Sequence, residues 1–248
     1  MPKGPTLADR NRNQLESGSP RTRAFEIIRD GIFSGRLSPG DLLKELHLAR
    51  ELGVSQATVR EALIRLEHVG LVVRTPNWGT RVTNLSRKDH QDRLKIRAAL
   101  EEMACVDALA RADTTFFRGL ETHLEAMAEA CSERGPFDLA QQDFEFHRYI
   151  WRQSDNQLLR ATLEQISAPL FASVGLLRGR GNPQKLEAAV QLHVALIEAF
   201  RTGDESTVRE SIRHHIFGIQ AEFFGICVSD SLHRQDGDGG AREKARSQ

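Results

Sequence analysis

The sequence predicts a mainly α fold in two parts: an N-terminal unit of three helices closed by a small β-hairpin, then an all-α helical bundle. Three observations predict it. Up to about residue 85, short runs of helical periodicity are cut by Ser38-Pro39-Gly40 and Gly53-Val54-Ser55, turn and cap chemistry at close spacing. Two β-rich runs then flank Thr75-Pro76-Asn77-Trp78-Gly79. From about Ser86 to Val228 only long amphipathic helical stretches are found.

Residues 1–20 carry Pro, Gly, Ser and Asn without periodicity, as do residues 229–248, and both read as flexible tails. Helix one is expected over 23–33, where Phe25, Ile28 and Ile32 fall at helical spacing and Gly35 follows as a stop. Helix two is expected over about 44–52, offering Leu46, Leu48, Ala49 and Leu52 to a core. Ser55 is placed to cap helix three, 56–69, whose inner stripe is Val59, Ala62, Leu63 and Leu66. Leu71 to Arg74 and Thr80 to Thr83 read as the two strands of a hairpin. Helix, helix, turn, helix and hairpin make a winged helix-turn-helix over 21–85. The bundle, 86–228, has about six helices, broken near Asp113, Gly135-Pro136, Ser154-Asp155-Asn156, residues 179–183 and Gly203. Residues 87–91 read as the join between the two parts.

The 248-residue length suits two domains, and 40% hydrophobic with 27% charged residues is the composition of a water-soluble globular chain. No run reaches the roughly 20 apolar residues of a membrane span, and the first twenty residues lack an apolar signal core, so a cytoplasmic location is expected. Cys105, Cys131 and Cys227 lack CxxC spacing and read as reduced thiols. Net charge is zero, yet residues 21–85 carry 10 basic against 7 acidic side chains while 86–228 carry 17 against 21. A basic unit joined to an acidic remainder is expected when the first part alone meets phosphate.

Two stretches carry ligand chemistry. Asp143 and His147, four apart in LAQQDFEFHRYIW, lie on one helix face a turn apart, which is metal-ligand spacing. His193 and His215 are 22 apart with Gly203-Asp204 near the midpoint; an antiparallel helix pair, its second helix capped by Asp204, sets them at similar heights. Three imidazoles and one carboxylate suit a divalent ion, Zn²⁺ first, with Ni²⁺ or Mn²⁺ as alternatives. The competing reading is of hydrogen-bonded core histidines. His214, about 100° around the helix from His215, is expected to point outward.

The run IIRDGIFSGRLSPGDLLKELHLARELGVSQATVREALIRLEHVGLVVRTPNWGTRV resembles the DNA-binding domain of the GntR family of bacterial transcriptional regulators. The resemblance rests on G-x-L-x-P-G, L-A-x-x-L-G-V-S and V-R-E-A-L. The later Asp143-x3-His147, His193 and His215 pattern looks like the helical ligand-binding domain, FCD, of its FadR branch. Together they span about residues 21–225. The sequence departs from the pattern at Gln56, where relatives often carry Arg, and at Leu46 and Trp78, where basic residues are common.

The resemblance implies a dimer that binds a two-fold double-stranded DNA operator, commonly as a repressor released by ligand. The start of a recognition helix reaches base edges in the major groove, which makes Gln56, Thr58 and Arg60 the candidate readers and Ser55 a cap and phosphate contact. The alternative for Arg60 is a surface pair with Glu61. Asn77 and Gly79 would let the wing backbone approach DNA, with Trp78 either packed on the domain or stacked on sugar. The resemblance further implies a small organic acid bound beside or on the metal. Arg97 matches an arginine position common in the family and is assigned to that carboxylate, against a helix-surface pair with Glu101. Asn156 is assigned either to the effector pocket or to capping the next helix. A metal-dependent hydrolase or lyase is disfavoured, since neither an HExxH-type Glu base nor an activated Ser or Cys nucleophile stands nearby in sequence. A purely structural metal, with a non-acidic effector or none, is the remaining alternative.

Overall fold

The computed structural model describes residues 19–178 and 183–224. Helix α1 (Pro20–Phe33) opens with a proline at its first position and Ser19 as cap, so it starts three residues before the periodicity suggested. The turn at Ser38–Gly40 leads into β1 (Leu42–Leu43) and α2 (Glu45–Leu52), which ends on Gly53 in the left-handed region. Ser55 caps α3 (Gln56–His68), its hydroxyl accepting from the Thr58 amide at 3.1 Å. Strands β2 (Val72–Thr75) and β3 (Gly79–Val82) form the hairpin, and β1 pairs antiparallel with β3 to give the order β1-β3-β2. The two-residue β1 was not expected, because so short a pairing leaves no alternation to read.

The bundle comprises α4 (Arg87–Leu109), α5 (Thr114–Glu129), a π-helical turn (Ala130–Arg134), α6 (Pro136–Trp151), α7 (Gln157–Arg178), α8 (Pro183–Thr202) and α9 (Glu205–Phe224). Breaks fall at Asp113, Gly135, 152–156 and Gly203 as expected. The expected break at 179–182, both tails beyond the described ends, and Cys227 lie outside the described residues. Residues 87–91, expected as the join between the two parts, are helical. They form the first turns of the 23-residue α4, fixed by a reciprocal capping box between Ser86 and Asp89.

The two parts are not separately cored. The winged-helix stripe of Ile28, Val59, Leu63, Leu66 and Val82 runs continuously into Phe144, Trp151, Leu163, Ala168 and Phe171 of the bundle. A second cluster, including Leu94, Phe116, Leu120, Phe146, Ile197, Phe200 and Ile212, fills the far side of the bundle. Helix α6 lies between the two clusters and presents Asp143 and His147 to the interior.

Candidate metal centre and nucleic-acid interface

Asp143 and His147 project from α6, His193 from α8 and His215 from α9, all buried. One possible ligand atom from each lies within 4.8 Å of the others. His147 Nε2 is 3.0 Å from His215 Nε2 and 3.5 Å from Asp143 Oδ1, and His193 Nε2 is 3.1 Å from Asp143 Oδ1. His214 is exposed and takes no part.

The hydrogen bonds on the outer ring nitrogens decide what the inner ones present. His193 Nδ1 is 2.8 Å from the Ala189 carbonyl, which can only accept, so Nδ1 carries the proton and Nε2 offers a lone pair. That lone pair faces a carboxylate oxygen. His147 Nδ1 is 2.8 Å from Glu101 Oε2. Burial pushes the Glu101 carboxyl up, but Arg97 and His147 beside it outweigh burial and hold it down at about 2. His147 therefore donates from Nδ1 and turns a second lone pair inward. Burial lowers the pKa of His147 despite Glu101, and burial together with His193 and His147 lowers that of His215 well below the usual imidazole range. With Nδ1 of His147 and of His193 donating outward, their Nε2 lone pairs face the Asp143 carboxylate, electron-rich groups that a cation between them would hold together. The donor set fits a divalent ion, which Asp143, His147, His193 and His215 would hold.

Glu101 is the residue that spacing did not disclose. It stands four residues after Arg97 and accepts from Arg97 Nε at 2.5 Å while its other oxygen holds His147. The Arg97–Glu101 pair is therefore buried, with side chains 5% and 1% exposed, not the surface pair considered above. Of the two groups that hold Glu101 ionised against burial, Arg97 acts more strongly and His147 second. Glu101 meets the ring nitrogen opposite the ligand cluster, so it orients His147 and is not placed as a base toward that cluster. The Arg97 guanidinium lies 4.4 Å from the centroid of Phe171, and its Nη2 is buried without a hydrogen-bond partner among the described residues. Trp151 Nε1 and His215 Nδ1 are likewise buried with no hydrogen-bond partner among the described residues, and the Trp151 ring is 6.3 Å from His147. Asn156 is elsewhere: it is exposed, and its Oδ1 caps α7 by accepting from the Leu159 amide at 3.0 Å. Its assignment to an effector pocket is corrected accordingly.

On the winged-helix face, Ser55, Gln56 and Arg60 are exposed and Thr58 is half-buried. Arg60 does not pair with Glu61, which meets Arg21 instead. Its Nη2 donates to Glu45 Oε2 at 2.8 Å, and Gln56 Nε2 donates to the same oxygen at 3.0 Å. Glu45 opens α2, so one carboxylate on the neighbouring helix holds both long side chains. Its own pKa is lowered chiefly by the hydrogen bond from Arg60. At the wing, Trp78 N–H closes a turn onto the Thr75 carbonyl at 3.0 Å. Pro76 sets its second position and Asn77, φ 63°, its third, where a positive φ favours Gly or Asn. Trp78 is 72% exposed, so packing on the domain is excluded.

Residues 20–82 match the bacterial regulatory proteins of the gntR family, and residues 92–218, half of the chain, match the FCD domain. The chain is a GntR-family transcriptional regulator carrying an FCD domain. The FCD match encloses the four clustered residues Asp143, His147, His193 and His215 as well as Arg97 and Glu101, and the gntR match encloses α1 to β3. The regulator is 28% identical to the "Probable D-xylose utilization operon transcriptional repressor" of Paenarthrobacter nicotinovorans, over 79% of this chain and 87% of that one. It is 24% identical to the gluconate operon transcriptional repressor of Bacillus licheniformis, over 88% and 90%. Among solved structures, Escherichia coli McbR/YncC superposes with a TM-score of 0.73 at 23% identity, over 84% of this chain and 99% of that one, which establishes the shared fold. Family and relatives are regulators of transcription, not enzymes, and the winged helix-turn-helix is a DNA-binding unit. No helix among the described residues is long and apolar enough to cross a membrane.

Proposed function

We propose that this regulator, of FadR type, is a cytoplasmic repressor that binds a two-fold operator as a homodimer, with affinity set by a small carboxylic acid at a divalent-metal site in the bundle. The winged helix-turn-helix over 21–85 reads DNA, and the helical domain over 86–228 binds metal and effector and dimerises. Asp143, His147, His193 and His215 are the metal ligands, with Zn²⁺ favoured by three imidazoles and one carboxylate and Ni²⁺ or Mn²⁺ as alternatives. The bound ion supplies a Lewis-acid position for a carboxylate oxygen.

The observation that carries the acid is the character of the unpartnered atoms. Arg97 Nη2 and Trp151 Nε1 are donors. Buried donors left without acceptors cost free energy, and an oxyanion bound beside the metal would supply acceptors. Arg97 orients the carboxylate, Glu101 fixes the tautomer of His147, and the surrounding apolar rings exclude water. Gln56, Thr58 and Arg60 contact base edges, Ser55 meets phosphate, and Asn77 and Gly79 bring the wing backbone to the duplex.

A second reading, a purely structural metal without an acidic effector, is supported by the Arg97–Glu101 pair, which already neutralises the guanidinium. Thermal melting of metal-loaded and chelator-stripped protein across a panel of small carboxylic acids separates the two. An acid that raises the melting temperature only with metal present supports the first. Loss of stability on chelation with no response to any acid supports the second.

A further inference from the structure

Away from the ligand cluster, a cleft of about 540 Å³ opens between the winged-helix part and the bundle. Phe25 and Arg29 of α1 and Ile64 and Arg65 of α3 line one side; Phe144 and Arg148 of α6 line the other. We infer that this cleft is a second small-molecule site, for an organic monoanion with an aromatic or branched apolar body. The inference goes beyond the reading of the metal site and does not rest on it.

Charge selects the anion. Arg29 is closed by Asp30 at 3.0 Å, and Arg148 by Glu145 at 2.6 Å and Glu164 at 3.0 Å. Arg65 is different: its guanidinium lies 4.3 Å from the Phe25 ring centroid, and no carboxylate pairs with it among the described residues. A guanidinium held over an aromatic ring and unpaired with a carboxylate keeps N–H donors for an anion, which a carboxylate or sulfonate accepts in fork geometry. Shape and polarity select the apolar body. Ile64, 48% exposed, stands at the cleft uncovered, and Phe144 forms an aromatic wall opposite. The volume lies within the roughly 300–1,000 Å³ of small-ligand sites.

Position gives the site a consequence for DNA binding. Arg65 and Ile64 belong to α3, the helix that begins with Gln56, Thr58 and Arg60, while Phe144 follows Asp143 directly in α6. An occupant touches both the DNA-reading helix and the helix that carries two of the metal ligands. Its affinity therefore depends on how these helices sit together, and by reciprocity its binding changes operator affinity.

The test uses anilinonaphthalene sulfonate, a fluorescent anion with an aromatic body, titrated into the full-length protein. The expected result is saturable, blue-shifted emission at one probe per chain, unchanged by a chelator, which separates the cleft from the metal centre. Arg65→Glu weakens the probe by about tenfold or more, ~1.4 kcal/mol, while Arg65→Lys stays within about threefold. Ile64→Trp, which fills the cleft with an indole, also abolishes binding. Both positions are exposed, and circular dichroism melts verify that the variants fold. Equal binding by Arg65→Glu, Ile64→Trp and the parent overturns the inference, as does unsaturable binding of many probes per chain. Loss of the probe as the chain self-associates also overturns it, by assigning the cleft to a second copy.

Discussion

Gly70 lies so close to the backbone carbonyl of Gln165 that a Cβ on it would stand 2.5 Å from that oxygen. The approach is made possible by Pro169, four residues on in α7, which has no N–H to give to the Gln165 carbonyl. Arg93 Nη1 reaches that carbonyl at 3.4 Å and the Ile166 carbonyl at 3.2 Å. The winged-helix part thus rests on the one turn of α7 whose backbone hydrogen bonding is broken. One turn further, Phe171 carries Arg97 on its face.

Gly70→Ala is expected to destabilise the protein by ~1–3 kcal/mol, because it combines a backbone clash with a φ of 76° that favours glycine. A lowered melting temperature with metal content unchanged is the expected result. A melting curve identical to the parent's would show that the junction yields at no cost.

Arg60→Ala is expected to cost about 1–3 kcal/mol of discrimination between operator and random DNA, the scale of one bidentate base contact. Glu45→Ala frees Arg60 and Gln56 from a shared carboxylate. It is expected to raise affinity for random DNA and to blur specificity, read by fluorescence anisotropy at fixed salt. Unaltered discrimination in both variants would remove Arg60 from base readout.

His147→Ala and His193→Ala are each expected to lose the bound ion, measured as metal per chain after dialysis. His214→Ala, altering the exposed neighbour of His215, should retain it. Full occupancy in the first two variants would refute the ligand assignment.

Glu101→Gln is expected to weaken metal affinity by about 10–100-fold, as is usual when an orienting partner of a ligating histidine is changed. The substitution also leaves Arg97 buried without its counter-charge. A competition titration against a chromophoric chelator measures it, and affinity equal to the parent's would show that His147 needs no carboxylate to fix its tautomer.

Much of the fold was legible because its signals are local. Ser55, Gly53 and the Pro76–Asn77 turn act within a few residues, and the Val59, Ala62, Leu63, Leu66 stripe follows the helical period. The Asp143–His147 pair was legible for the same reason, and the placement of His193 and His215 followed from a symmetric helical hairpin. What escaped depends on contacts distant in sequence. Glu101 meets His147 across 46 positions, and Glu45 meets Arg60 across 15. Neither acid differs in sequence from a solvated surface charge. The helical state of 87–91 was not legible because those charged residues look like an irregular linker, whereas the Ser86–Asp89 box makes them the start of a helix.

The central claim is that an acid at the four-ligand centre sets operator affinity. Operator binding by fluorescence anisotropy, with and without each acid of the panel, in metal-loaded protein and in His193→Ala, tests it most directly. The account predicts that one acid lowers operator affinity of the metal-loaded protein several-fold and leaves His193→Ala unaffected, as a coupling of about 1–3 kcal/mol between two sites requires. An acid that acts equally on both proteins would contradict it, because control would then lie outside the metal centre.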